Sequence, residues 1–208
     1  MKHRLLLTAV SLATLASGVD AHFVLVSPAA SLAQNRLGDP QKVAPCGGVS
    51  GNAARGTPPN PGVPSGAITE MKGGSTFHLL LNETVFHPGH YRVALASTAA
   101  QLPPDPVVTT RQTERGPWSV SAEIQNPVVA PVLADGLFPH TERPTQMFEA
   151  DIAIPNINCK GCLLQVIQFM AEHARNADGD YSYHHCAIVN ITADQTKPID
   201  TRWSQPSR

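Results

Sequence analysis

The residues best suited to chemistry in this 208-residue chain are its histidines, nine against three tyrosines and four cysteines. His22 follows Ala21, and cleavage between them would make it the first residue of the mature chain. An N-terminal histidine offers two nitrogens, because its α-amino group and its ring Nδ1 can chelate one ion. The α-amine has a reference pKa near ~7.7, so a metal displaces its proton at modest cost. A second imidazole would complete a planar set of three nitrogens. Copper(II) favours tetragonal nitrogen sites and heads the divalent affinity order, so such a set points to copper. Two candidates for that imidazole stand in Phe86-His87-Pro88-Gly89-His90-Tyr91-Arg92. Pro88-Gly89 is a turn signal, which puts His87 on the loop before the strand that carries His90. A loop residue at a strand entry suits a ligand that reaches across to the N-terminus.

The segment that must deliver His22 is the N-terminus itself. Met1 to Ala21 has a short basic start (Lys2, His3, Arg4), an apolar run from Leu5 to Ala16, and the ending Val19-Asp20-Ala21. That pattern reads as a secretory signal peptide over residues 1–21, with an apolar run too short for a membrane span. Cleavage after Ala16 is the alternative and would leave five residues in front of the histidine. No other stretch approaches the ~18 apolar residues of a transmembrane helix, so an exported, soluble protein with no membrane partner is expected. Lys and Arg total 15 against 16 Asp and Glu, a formal net charge of -1, which lacks the basic excess of a nucleic-acid binder. The length suits one domain. The 42% hydrophobic content can supply a core, and 15 glycines with 19 prolines disfavour long helices. No phosphate-binding glycine motif and no Gly-x-Ser-x-Gly turn occurs, which removes most nucleotide-enzyme and hydrolase readings.

Apolar runs bounded by Pro and Gly give an all-β outline. Strands are expected at His22 to Val26, Ser75 to Asn82, His90 to Ala96, Thr145 to Ile154, Leu163 to Met170 and Cys186 to Thr192. Ala29 to Gly66 reads as a long irregular loop, and Thr98 to Val132 as loop with at most one strand. The arrangement favours an immunoglobulin/fibronectin-III-like β-sandwich with long loops over residues 22–193, followed by a polar tail, 194–208. Cys46, Cys159, Cys162 and Cys186 are even in number, and an oxidising compartment would pair them into two disulfides with three possible connectivities. The spacing Cys159-Lys160-Gly161-Cys162 lacks the second pair that zinc would want.

Together these residues carry a family resemblance. The N-terminal His22, the His87-Pro88-Gly89 step into a strand, and Tyr181-Ser182-Tyr183-His184-His185-Cys186-Ala187 look like the lytic polysaccharide monooxygenases. They are also similar to a group of bacterial secreted proteins described as polysaccharide-monooxygenase-like. Cys162-Leu163-Leu164-Gln165 resembles the Cys-x-Leu-Gln strand of the fungal and insect classes, and His173 followed by an aromatic shortly before Cys186-Ala187 repeats the order of the cellulose-active class. The resemblance implies a copper "histidine brace" of His22 and His87, with Tyr183 at the axial position and His173 donating hydrogen bonds to oxygen species at the metal. It also implies a Cys46–Cys186 disulfide, which would leave Cys159 with Cys162; a Cys162–Cys186 pairing is the alternative. The implied reaction is oxidative cleavage of chitin, cellulose or a related polysaccharide by a secreted monomer that draws electrons from an external donor.

Departures from the pattern leave a second function open. Tyr181 stands where the cellulose-active class has glutamine, and His184-His185 has no counterpart there. Either of those histidines, or His90, could be a further metal ligand, and a closed site would suit a copper carrier better than an enzyme. Strand geometry sends the His184 and His185 side chains to opposite faces, so at most one should face the metal. Trp118, Trp203, Tyr181 and Phe86 are the aromatic candidates for a polysaccharide platform, although each type is more often core. A copper-free carbohydrate-binding domain is the third alternative. His78 and His140 receive no role.

Overall fold

The computed structural model describes residues 21–52 and 56–203. The signal-peptide segment up to Asp20 lies outside the described residues, as does the end of the tail beyond Trp203. Ten strands run in chain order: β1 (His22–Ser27), β2 (Ile68–Lys72), β3 (Thr76–Val85), β4 (Gly89–Ala96), β5 (Val108–Thr113), β6 (Gly116–Ala122), β7 (Val132–His140), β8 (Phe148–Ala153), β9 (Cys159–Met170) and β10 (Ser182–Thr192). They form a three-stranded sheet β1-β3-β8, a five-stranded sheet β2-β10-β9-β4-β7 and a hairpin β5-β6. All pairings are antiparallel except β10 with β2. Among the described residues, no helix is long and apolar enough to cross a membrane.

The two larger sheets pack face to face as an all-β sandwich. Alternation along β3 sends Phe77, Leu79 and Leu81 inward to join Phe23 and Leu25 of β1. They meet Tyr91, Val93 and Leu95 of β4, Leu164 and Val166 of β9, and Tyr183, Ala187 and Val189 of β10 in one continuous core. The central strands β4, β9 and β10 are buried on both faces. Their second face is covered by the long loops, where Leu102 and Cys46 pack on Ala94, Ala96, Leu163 and Cys186.

Strand alternation also decides the disulfides, Cys46–Cys186 and Cys159–Cys162. Cys162 lies opposite Val189 and faces the core between the sheets, whereas Cys186 lies opposite Gln165 and faces the loops. A Cys162–Cys186 bond would have to cross the sheet, and Cys186 instead ties the 29–66 loop to β10.

Six expected strands form close to their expected limits. β2, β7 and the β5-β6 hairpin were not expected. β2 is a short edge strand, Ile-Thr-Glu-Met-Lys. β7 contains Gly136 and Pro139, and both Gly136 and Phe138 take positive φ, so its alternation is broken. The tail segment 194–203 lies against the sandwich, where Asn156 Nδ2 donates to the carbonyls of Asp194, Lys197 and Pro198 and Trp203 packs against the core.

Candidate metal centre

His22 opens β1, and three interactions fix the strand at that point. Phe23 N–H donates to Gln41 Oε1 (3.1 Å) and the Phe23 carbonyl accepts from His185 Nε2 (3.1 Å). Thr84 Oγ1 donates to the His22 carbonyl (3.1 Å), next to the His22↔Val85 pairing of β1 with β3. The His22 side chain is 5% exposed. Its Nε2 donates to Asp39 Oδ1 at 3.2 Å. That hydrogen bond holds the Asp39 carboxyl below its ordinary pKa, against the opposing effect of partial burial. Nδ1 of the same ring is buried without a hydrogen-bond partner. One ring nitrogen is therefore held by a carboxylate while the other makes no hydrogen bond; a carboxylate contact of this kind also orients the ring of a ligating histidine. Tyr183 lies edge-on to the ring with centroids 5.4 Å apart.

His87 occupies the crossover from β3, in one sheet, to β4, in the other. Its main-chain N–H donates to Glu83 Oε1 (3.2 Å). The following Pro88 carbonyl accepts from Ala171 N–H (2.8 Å). Gly89 is required here, because a Cβ at this position would stand 1.9 Å from the Phe169 carbonyl oxygen. These contacts lock the loop onto the end of β9 and bring the His87 ring edge-on to His173, with centroids 4.7 Å apart.

His173 is set by the unexpected β5-β6 hairpin. Ser119 N–H donates to the His173 carbonyl (3.0 Å), His173 N–H donates to Ser119 Oγ (3.1 Å), and Ser119 Oγ donates to the Met170 carbonyl (2.6 Å). The His173 ring also contacts the Ala174 carbonyl through Nδ1. Tyr183 is fully buried, and its hydroxyl accepts from Asn176 Nδ2 (3.0 Å). Four of the expected residues thus form two ring contacts, His22 with Tyr183 and His87 with His173. β9 links them, since Gln168 lies opposite Tyr183 and donates through Nε2 to the same Glu83 oxygen that receives His87 N–H (2.7 Å).

The alternative ligands go elsewhere. His90 packs on Phe169 (5.1 Å) on the loop-covered face of β4, opposite to the inward Tyr91, and burial pushes its pKa down. His184 and His185 point to opposite faces of β10, as expected. His184 Nε2 donates to Asp105 Oδ1 (2.8 Å), while His185 makes the Phe23 contact and packs edge-on against that ring at 4.8 Å. Burial holds the His185 pKa down to about 4, so its ring is neutral and acts as a structural donor. His78 is an exposed partner of Glu149 and Asp151.

The aromatic candidates are engaged in packing. Tyr181 is buried with its hydroxyl donating to the Pro117 carbonyl (3.3 Å). Phe86 stands 6.0 Å from His140 and from the Arg143 guanidinium. The Trp118 ring lies 5.9 Å from the Arg111 guanidinium.

Asp39, Glu83, Ser119 and Asn176 were missed by sequence reasoning. Glu83 alone carried a signal: it continues the inward series Phe77, Leu79, Leu81, so a charge falls at a core position.

Among the described residues, no three His, Cys, Asp or Glu side chains converge to hold a metal ion. A brace needs only two side chains, because its remaining nitrogen is the α-amine. That amine exists only once the peptide bond after the buried Ala21 is cut. The donor chemistry present, a carboxylate-oriented imidazole with a bare buried nitrogen, fits a nitrogen-ligated copper ion. No protein-family model matches the chain, and no curated protein matches it.

Proposed function

We propose that the exported chain, cut after Ala21, binds copper through the His22 amine, His22 Nδ1 and the His87 imidazole, and acts as a monooxygenase on polysaccharide. The observation that carries this reading is the His22 ring, with Nε2 held by Asp39 and buried Nδ1 without a partner. Bound copper would supply one-electron chemistry toward oxygen or peroxide, which side chains alone do not provide. The chain's own residues have separate tasks. Asp39 fixes the His22 tautomer with the proton on Nε2. Tyr183, anchored by Asn176, walls one side of the His22 ring. His173, held by Ser119 beside His87, turns Nδ1 to the Ala174 carbonyl, so its Nε2 can accept a proton beside the proposed site and donate a hydrogen bond once protonated.

A specific observation favours a second reading, a copper carrier. Tyr181 is buried, Phe86 is engaged by His140 and Arg143, and Trp203 packs on the core, so these aromatics serve the fold before they serve a flat sugar surface. The two readings separate in one experiment. Copper-loaded protein is incubated with reductant, peroxide and a panel of chitin, cellulose and hemicellulose. Oxidised oligosaccharides establish the monooxygenase; tight copper binding without them establishes the carrier.

A further inference from the structure

Glu83 has no place in the donor set above, yet it sits directly behind His87. Its carboxylate side chain has no exposure, and burying a carboxylate is costly unless it is well compensated. The compensation arrives at one oxygen. Oε1 accepts from His87 N–H (3.2 Å), Gln168 Nε2 on β9 (2.7 Å) and His140 Nε2 on β7 (3.2 Å), while buried Oε2 has no partner. Glu83 belongs to the three-stranded sheet, whereas Gln168 and His140 belong to the five-stranded one. One carboxylate oxygen therefore joins the two sheets at the place where the chain crosses between them, and the crossing residue is His87. An apolar residue would serve the core as well at this inward position. It could not accept the His87 N–H.

We propose that Glu83 is the positioning residue for His87. Anchored to β7 and β9, it receives the His87 main-chain N–H and thereby fixes the direction in which the imidazole leaves the crossover. The consequence for copper rests on the brace reading; the effect on His87 does not, and can be measured without metal.

The test uses the mature chain, 15N-labelled, first metal-free and then with copper. Glu83→Gln keeps an acceptor oxygen, so amide exchange at His87 and the copper EPR spectrum should match wild type, with affinity within about threefold. Glu83→Met removes the acceptor. Amide exchange at His87 should accelerate about tenfold or more, its ring resonances should move, and copper affinity should fall at least ~10-fold with altered EPR parameters. If the Met variant does not fold, Glu83→Asp withdraws the carboxylate by one methylene and should give the same changes in smaller measure. Wild-type His87 exchange and ring resonances in a folded Met or Asp variant would overturn the assignment. A metal-free response of the expected kind, in a protein whose His22 and His87 do not bind copper, would keep Glu83 as the positioning residue and remove the brace.

Discussion

His22 Nε2 donates to Asp39 Oδ1 at 3.2 Å, and the opposite nitrogen of the same buried ring has no partner. A carboxylate that sets the tautomer of a ligating histidine typically contributes 10–100-fold in metal affinity. Asp39→Ala should therefore weaken copper binding by about that factor, measured by competition with a chelator of known affinity. Asp39→Asn, which retains a hydrogen-bonding oxygen, should lose less. Unchanged affinity in both variants would mean that the carboxylate serves only the fold.

The choice of the second imidazole separates sharply. His87→Ala should reduce copper affinity by about 100-fold or more, since it would remove one of the three proposed nitrogens. His90→Ala should leave affinity within about threefold, because that ring lies against Phe169 on the other face of its sheet. Equal losses would show that His90 also binds.

Acid should destabilise the fold through His185. Burial sets its folded pKa at about 4, against a reference value of 6.5. Between those values the unfolded chain takes up a proton that the folded chain refuses. The contribution is fully present above pH 6.5, declines as pH falls through this window, and levels off below about 4. Its size is up to about 3 kcal/mol; His90, whose pKa is also lowered by burial, acts in the same direction. Urea unfolding across this range should show the slope, and His185→Gln should flatten it. An unaltered slope in the variant would remove His185 from the explanation.

The two disulfides should differ in weight. Cys46 and Cys186 are 140 residues apart in sequence, Cys159 and Cys162 only three. Loop-closure entropy gives about 5 kcal/mol for the first and about 2 kcal/mol for the second. Paired Cys→Ala replacements followed by denaturant titration measure both. A larger loss from the short bridge would contradict the ranking.

What the sequence disclosed depended on how local the signal was. β1, β3, β4, β8, β9 and β10 announce themselves because apolar residues repeat between Pro and Gly breaks. β5 and β6 do not, since their residues are mostly exposed and the hairpin is held through Ser119 and the 171–174 loop. His22 and His87 stand out in the sequence as candidates through an expected cut site and a turn. Asp39 was not, because an aspartate in a Gly- and Pro-rich loop carries no mark of the ring it will meet. His140 received no role for the same reason: its partner Glu83 lies 57 residues away in sequence. Burial alone would lower the His140 pKa, but its hydrogen bond to Glu83 leaves it above the ordinary value. The immunoglobulin-like detail of the sandwich rests on strand count and spacing, and four of the ten strands, β2, β5, β6 and β7, lie outside the six expected ones.

If the α-amine of His22 is a copper ligand, as proposed, moving that amine must disrupt the site. Copper affinity and the EPR spectrum are measured for the chain that begins at His22 and for the same chain with one alanine retained in front of it. Tight binding with a three-nitrogen tetragonal signal is expected for the first, and for the second a loss of at least ~100-fold with a changed signal. Equal affinity and identical spectra in the two chains would contradict the proposed ligation.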